Sequence, residues 1–115
     1  MNAVSAELAV TIGAPPELAA PVITGYTVDP AEANKITVHV QLPPTDSAGR
    51  PVMAMSELQV YAQEESFLGK LEALVGLEPS KKVSVTPAQA GQIVDVEFSG
   101  LKFLTEYFFY AVPKP

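Results

Sequence analysis

The sequence predicts an all-β protein, an antiparallel β-sandwich of about seven strands with one short helix. Apolar and polar residues alternate with a period of two in several short runs, which is typical of half-buried strands. Clusters of Pro, Gly, Asp and Asn separate these runs and predict turns. Only one segment has helical spacing. Regular strands with little helix favour two packed antiparallel sheets.

The first predicted strand covers residues 4–12 and stands apart from the others. The proline-rich stretch 13–21 that follows predicts an extended linker, because proline removes hydrogen-bond donors and disfavours helix in the residue before it. We therefore divide the chain into an N-terminal strand and linker, 1–20, and a sandwich, 21–115. One face of the first strand carries Val4, Ala6, Leu8, Val10 and Ile12.

Three further strands are predicted over residues 22–28, 35–42 and 56–63. They are separated by a turn at residues 29–34 and by the turn-rich stretch 43–51. In the second of these strands the polar side chains occupy alternate positions, so the other set is expected to face the core. That core-facing set is Ile36, Val38, Val40 and Leu42.

The single helix is predicted over residues 66–76. Its apolar residues recur at helical spacing behind Ser66, which is suited to N-capping. Gly69 weakens the helix by roughly 1 kcal/mol relative to alanine. The apolar positions are Phe67, Leu71, Leu74 and Val75.

Three strands complete the pattern, over residues 82–86, 92–101 and 104–112. After Pro115 no sequence is left for another strand, so the last strand is expected to present an unpaired edge. Natural proteins usually cover such an edge or use it for binding. Strand 4–12 fits this edge, either within its own molecule or donated to a neighbour. The alternative is that it merely lengthens the first strand of the sandwich.

Residues 20–112 resemble a fibronectin type III domain, a member of the immunoglobulin-like sandwiches. Residues 36–46, with Gly49 and Pro51, are similar to the second strand of that family and the loop after it. The resemblance implies that the Tyr107 hydroxyl ties a loop to the edge of the sandwich. The tryptophan usual on the second strand is absent, and Val40 is its nearest substitute. Six residues resemble the signature of that family at its sixth strand: Gly100, Leu101, Thr105, Tyr107, Phe109 and Ala111.

Composition excludes several classes of partner. The chain has 13 acidic and 7 basic residues and a formal charge of −6, and its only basic pair is Lys81-Lys82, so nucleic acid is not expected as a partner. No stretch approaches the roughly 20 apolar residues of a membrane span, so membrane insertion is not expected. The N-terminus lacks a basic region and Glu7 interrupts its apolar run, which predicts no secretory signal. The chain has no cysteine, so its compartment cannot be read from disulfides.

Catalysis is not predicted. His39 is the only histidine, and it lies on the outward face of its strand without a nucleophile signature nearby. Asp95 and Glu97 share one strand face, which we interpret as a solvated sheet surface rather than an acid-base pair. No cofactor and no metal site are predicted.

The last strand carries four consecutive aromatic residues, which must divide between its two faces. If Tyr107 and Phe109 face inward, Phe108 and Tyr110 face outward. The outward pair either lies under the helix or the N-terminal strand, or anchors a protein interface. The candidate interface residues are Val4, Leu8, Val10, Ile12, Phe67, Leu71, Phe108 and Tyr110.

These patterns favour a non-enzymatic structural or interaction protein. Small sandwiches of this kind resemble accessory virion proteins of tailed bacteriophages, including capsid decoration, head-fibre and tail modules. The resemblance implies a virion protein assembled in the host cytoplasm, with a capsid or tail subunit or another copy of itself as partner. The alternative is an extracellular accessory module of a secreted or cell-surface protein that binds protein or carbohydrate on its loops.

Overall fold

The computed structural model describes residue 3, residues 5–11 and residues 17–115. Within them the chain forms six strands, one short α-helix and a single 3-10 turn at Pro87–Gln89. This mostly β content confirms the predicted fold class. The elements are β1 (Val22–Val28), β2 (Ile36–Gln41), β3 (Glu57–Gln63), α1 (Leu71–Val75), β4 (Lys81–Ser84), β5 (Ile93–Phe98) and β6 (Phe108–Lys114).

The strands form two three-stranded antiparallel sheets that pack as a small sandwich. The first sheet has the order β1-β2-β5 and the second the order β4-β3-β6. The longest ladder joins β3 to β6, from Glu57 opposite Lys114 to Gln63 opposite Phe108. β6 therefore lies at one edge of the second sheet.

The main core lies between the sheets and follows the predicted alternation. Val38 and Val40 on β2 are 1% and 0% exposed, and the side chains on either side of them are more accessible. Leu58 and Val60 on β3 face them and are both 0% exposed. Each fully buried aliphatic side chain stabilises the fold by roughly 1.5–3 kcal/mol relative to an exposed one. Small aliphatic side chains thus fill the centre of the sandwich without a tryptophan.

A second apolar cluster lies on the outer face of the second sheet. Tyr61, Phe67 and Leu74 are buried in it, and Tyr110 and Val112 pack against them. Because Leu74 belongs to α1, this cluster holds the helix against β3 and β6. The outer face of β6 is covered here rather than exposed to solvent.

The helix is shorter than predicted. α1 spans Leu71–Val75, and its N-cap is Lys70, which makes no side-chain capping bond. Ser66, the predicted cap, instead accepts a hydrogen bond at Oγ from the backbone N-H of Leu68, at 3.3 Å. Gly69 has φ of +79°, a left-handed conformation that helices do not contain. The chain therefore makes a turn before the helix begins.

The prediction of an N-terminal strand is wrong for residues 5–11, the part of it that the structure describes. Residues 5–11 form no strand and are exposed throughout, whereas Val4 and Ile12 lie outside the described residues. A strand forms only against a partner that completes its hydrogen bonds, and the isolated segment has none here.

The chain enters the sandwich at a fixed point beside the loop that precedes β3. Asp46 is 6% exposed, and its Oδ1 accepts hydrogen bonds from the backbone N-H groups of Ala48 and Arg50, both at 2.9 Å. The entering segment is tied to this loop, because Ser47 N-H donates to the carbonyl of Glu17 at 2.7 Å. Leu18 also forms a β-bridge with Asp46.

Acid is expected to destabilise the turn between β1 and β2. Asp29 Oδ1 accepts hydrogen bonds from Ala31 N-H at 2.8 Å and Glu32 N-H at 3.0 Å, and these bonds lower the pKa of Asp29 below its ordinary value of 3.8. A carboxyl group whose pKa is lower in the folded state stabilises the fold above its unfolded pKa. That contribution to stability is lost as the pH falls through the pKa that Asp29 has in the folded state.

We therefore expect the wild-type chain to lose more stability than Asp29→Asn between about pH 5 and pH 2, because asparagine does not ionise. Urea unfolding of both chains at several pH values measures this difference. Parallel pH profiles would show that the Asp29 charge does not contribute.

Candidate functional site

The outer edge of β6 is the first candidate site. Among the described residues β6 pairs only with β3, through its other edge. The carbonyl of Lys114 accepts a hydrogen bond from Ser56 N-H at 2.9 Å, so the backbone of Lys114 points toward β3. Backbone groups of successive residues in an antiparallel strand point to opposite sides. Val112 and Tyr110 therefore also bond toward β3.

The intervening residues of β6 direct their backbone groups to the open side. These residues are Phe109, Ala111 and Pro113. Pro113 agrees with this assignment, because proline has no N-H group and a residue that faces the open side needs none for the ladder with β3. The open edge consequently offers N-H and C=O groups from Phe109 and Ala111, and only a C=O from Pro113. This is the bonding pattern that an added strand needs.

An apolar groove runs along this edge. One part, of about 380 Å³, lies between the start of β1, α1 and β6. It is continuous with a second part of about 760 Å³ between residues 17–21 and 111–115, since both parts share Pro21, Val75, Ala111 and Val112. We call these two parts together the β6 groove. The first part is lined by Pro21, Ile23, Leu71, Leu74, Val75, Phe109, Tyr110, Ala111 and Val112.

The predicted aromatic interface residues are largely internal to the monomer. Phe67 is 5% exposed and makes an edge-to-face contact with Tyr110, with ring centroids 6.3 Å apart. The Tyr110 hydroxyl accepts a hydrogen bond from the backbone N-H of Phe67 at 2.7 Å. Phe108 is half-buried. Phe67 therefore cannot contact a partner unless this cluster opens, whereas Tyr110 is partly buried and still lines the β6 groove.

Three further predicted interface residues, all among the described residues, lie at the surface. Leu71 is 52% exposed and lines the β6 groove. Leu8 and Val10 are 85% and 69% exposed on the N-terminal segment. The structure thus places Leu71 beside β6 and leaves Leu8 and Val10 unpacked.

A second apolar surface lies on the loop between β5 and β6. The Tyr107 hydroxyl accepts a hydrogen bond from Lys102 N-H at 2.9 Å, which fixes the base of this loop. Phe103 and Leu104 at its tip are 67% and 108% exposed, and with Tyr26 of β1 they line a groove of about 380 Å³. Leu104 has φ of +55°, which is strained for a leucine. Sequence reasoning had placed Leu104 in a strand and missed this surface.

A polar row crosses the outer face of the first sheet. The Thr27 hydroxyl and His39 Nε2 are hydrogen-bonded at 2.8 Å, and His39 Nδ1 and Asp95 Oδ1 at 2.7 Å. The three residues come from β1, β2 and β5, so the row links all strands of the sheet. His39 does face outward, as predicted, but sequence reasoning missed Thr27, because only the strand pairing brings it to His39.

The order of hydroxyl, imidazole and carboxylate in this row is that of a hydrolase triad. Acyl transfer also needs donors for the developing oxyanion and a cleft that holds the substrate. The row lies on the face of a sheet and lines none of the grooves described here. We interpret it as a cross-strand hydrogen-bond network.

The described residues contain no group of three or more His, Cys, Asp or Glu side chains placed to hold a metal ion. None of the helices in the described part of the chain is long and apolar enough to cross a membrane.

Comparisons with known proteins identify no family. No protein-family model matches the chain, and no significant match was found among curated proteins or solved structures. Its function must therefore be argued from the geometry of its own surfaces.

Proposed function

We propose that this protein is a non-enzymatic interaction module whose working surface is the open edge of β6 together with the β6 groove. The observation that carries the proposal is the set of unpaired backbone groups on Phe109 and Ala111 beside an apolar groove. Main-chain bonds to such an edge supply affinity, and side chains that enter the groove supply specificity.

The composition of β6 supports this function. Edge strands that must stay unpaired usually carry charged residues, prolines or bulges that discourage pairing. Over its first five residues, 108–112, β6 has neither a charge nor a proline, and Pro113 and Lys114 follow only at its end. An apolar edge of this kind is suited to being covered by another strand.

Within this proposal the sandwich is of the fibronectin type III kind. The pairing of β1 with β2, β2 with β5 and β3 with β6 agrees with the neighbours A-B, B-E and C-F of immunoglobulin-like domains. The bond from Lys102 N-H to the Tyr107 hydroxyl agrees with the tyrosine corner of such domains. An edge strand corresponding to F that lacks its next neighbour is then the natural site for strand addition.

We further propose that the module works in a virion, as a capsid decoration, head-fibre or tail protein of a tailed bacteriophage. The support is analogy, since small sandwiches serve in such accessory proteins. The partner is then a capsid or tail subunit, or another copy of the chain. The net charge of −6 agrees with binding to protein rather than to packaged nucleic acid.

Particle fractionation tests this assignment. The chain, or its Ala111→Pro variant, is produced in cells together with the genes adjacent to its own, and particles are separated on a density gradient. We expect the wild-type chain to co-sediment with particles at a fixed ratio to their major protein and the variant to remain soluble, because proline removes an edge donor. If the wild-type chain and the variant were found in the same fraction, whether with particles or as soluble protein, the proposed edge function would be contradicted.

The second candidate function is ligand binding by an extracellular accessory module, which the loop surface favours. Aromatic side chains of Tyr26, Phe103 and Tyr107 line one groove with the polar residues Asn34 and Thr105, a combination suited to carbohydrate or peptide. A glycan array distinguishes the two functions. Binding that is lost in Phe103→Ala but kept in Ala111→Pro would assign the function to the loops instead of β6.

A further inference from the structure

We propose that the β6 edge is occupied by the N-terminal segment, residues 4–12, of a second copy of this chain. The inference rests on the proposed role of the β6 edge and names its occupant. Three observations carry it: the pattern of the segment, the unpaired backbone groups of the segment and of β6, and the separation of the two within one molecule.

The segment has the sequence pattern of a half-buried strand, but its described residues 5–11 are all exposed in the monomer. Leu8 and Val10 lie on its apolar side and are 85% and 69% exposed. Ser5, Glu7, Ala9 and Thr11 occupy the alternate positions. Alternation of this kind stabilises a strand only against a surface that is apolar on one side, so the pattern indicates a partner.

The segment and β6 match in what each lacks. Residues 5–11 of the segment have free backbone groups, and β6 has free groups at Phe109 and Ala111. In an added strand Leu8 and Val10 share one face. Directed to the face that carries α1, they contact Leu71 and Val75, which are each 52% exposed and line the β6 groove.

The structure leaves the segment and the β6 edge of one molecule apart, which favours a second copy as the donor. Residues 5–11 form no strand and are exposed, and among the described residues β6 pairs only with β3. The entering chain is tied to the sandwich beyond the segment, because Ser47 N-H donates to the carbonyl of Glu17 at 2.7 Å, and residues 17–21 line the groove at the C-terminal end of β6. Exchange of segments between copies pairs both elements.

A second copy can add its segment in the antiparallel direction, which is the slightly more stable pairing per residue. If two copies exchange segments reciprocally, the assembly closes as a two-fold symmetric dimer. If each copy donates to the next, the assembly grows as a chain or a ring. In either assembly, Leu8 and Val10 of one copy are buried against β6 of another.

Sedimentation velocity of the full chain over a hundredfold concentration range, with paired variants, tests the inference. Leu8→Asp/Val10→Asp places charges on the apolar side of the segment. Ala9→Asp/Thr11→Asp places the same charges on its polar side and is the matched control. All four residues are exposed in the monomer, so neither variant should affect its folding.

We expect the wild-type chain and the control to form oligomers and Leu8→Asp/Val10→Asp to stay monomeric, with at least a tenfold weaker association. A synthetic peptide of residues 3–12 should bind the monomeric variant, and Ala111→Pro in that variant should abolish the binding. Association that survives Leu8→Asp/Val10→Asp would overturn the inference. So would a wild-type chain that stays monomeric throughout the concentration range.

The proposed function can survive the failure of this inference. A monomer whose Ala111 amide is protected from hydrogen exchange, and loses that protection in Leu8→Asp/Val10→Asp, would show that the segment pairs within its own molecule. A monomer with an unprotected Ala111 amide that still binds particles through β6 would show that the occupant is another protein. If Ala111→Pro bound particles as well as the wild-type chain does, the edge function itself would be rejected.

Discussion

Phe67→Ala is expected to destabilise the protein by about 3–5 kcal/mol, the usual cost of truncating a buried phenylalanine. Phe67 is 5% exposed and joins Leu74 of α1 to Tyr61 of β3 and Tyr110 of β6 in the second apolar cluster. Its removal leaves a cavity under the helix. α1 is then expected to separate from the sheet, because its only buried residue is Leu74.

Leu68→Ala is the matched control. Leu68 is the next residue in the chain and is 77% exposed, so its truncation should change the stability by less than about 0.5 kcal/mol. Chemical denaturation of both variants measures the difference. Equal and small effects would show that Phe67 does not pack in the monomer, and would restore it as a candidate contact residue.

Proline substitution on β6 is expected to give the second large effect, and its size should depend on which side the replaced N-H faces. Val112→Pro removes an N-H that bonds to β3 and leaves a carbonyl of β3 without its donor. We expect a loss of about 2–4 kcal/mol. Ala111→Pro removes an N-H from the open edge, as Pro113 already does, and should cost less than about 1 kcal/mol.

Thermal or denaturant unfolding of the two proline variants checks this assignment of sides. It also establishes whether Ala111→Pro is folded, which its use as an edge-blocking variant requires. If Ala111→Pro were the more destabilising change, the orientation of the β6 backbone derived from the Ser56–Lys114 hydrogen bond would be wrong.

The sandwich could be predicted because its strands alternate clearly. The predicted strand 22–28 has the bounds of β1, and the alternation over residues 35–42 assigned Val38 and Val40 to the core and His39 to the outer face. In both cases a period of two follows directly from the strand geometry. The bounds of the last strand were less clear. The sequence predicts residues 104–112, whereas β6 spans Phe108–Lys114.

The surfaces were harder to predict because they depend on pairing between distant parts of the chain. The alternation of β6 correctly put Tyr110 on the outer face of its sheet, but only the structure shows Phe67 and Leu74 covering it. The contact of Thr27 with His39 depends in the same way on the register of β1 against β2. The positive φ of Leu104, the first residue of the predicted strand 104–112, has no signal in the residue type, and β6 begins only at Phe108.

The prediction of a strand over residues 4–12 failed for the described residues 5–11, in a way that bears on function. The alternation was read as a strand, but alternation specifies only which face a strand would bury and cannot supply the neighbour that a strand requires. Residues 5–11 are exposed and unpaired in the monomer, and β6 lacks a second neighbour among the described residues. An unpaired segment and an unpaired edge can satisfy each other's backbone hydrogen bonds.

Amide hydrogen exchange on β6, followed residue by residue by NMR, tests most directly the claim that its open edge is the working surface. At low concentration the amides of Phe109 and Ala111 should exchange rapidly, whereas those of Tyr110 and Val112, bonded to β3, should be protected. At concentrations where the protein assembles, Phe109 and Ala111 should become protected as well. An assembled protein in which these two amides still exchange rapidly would contradict the claim.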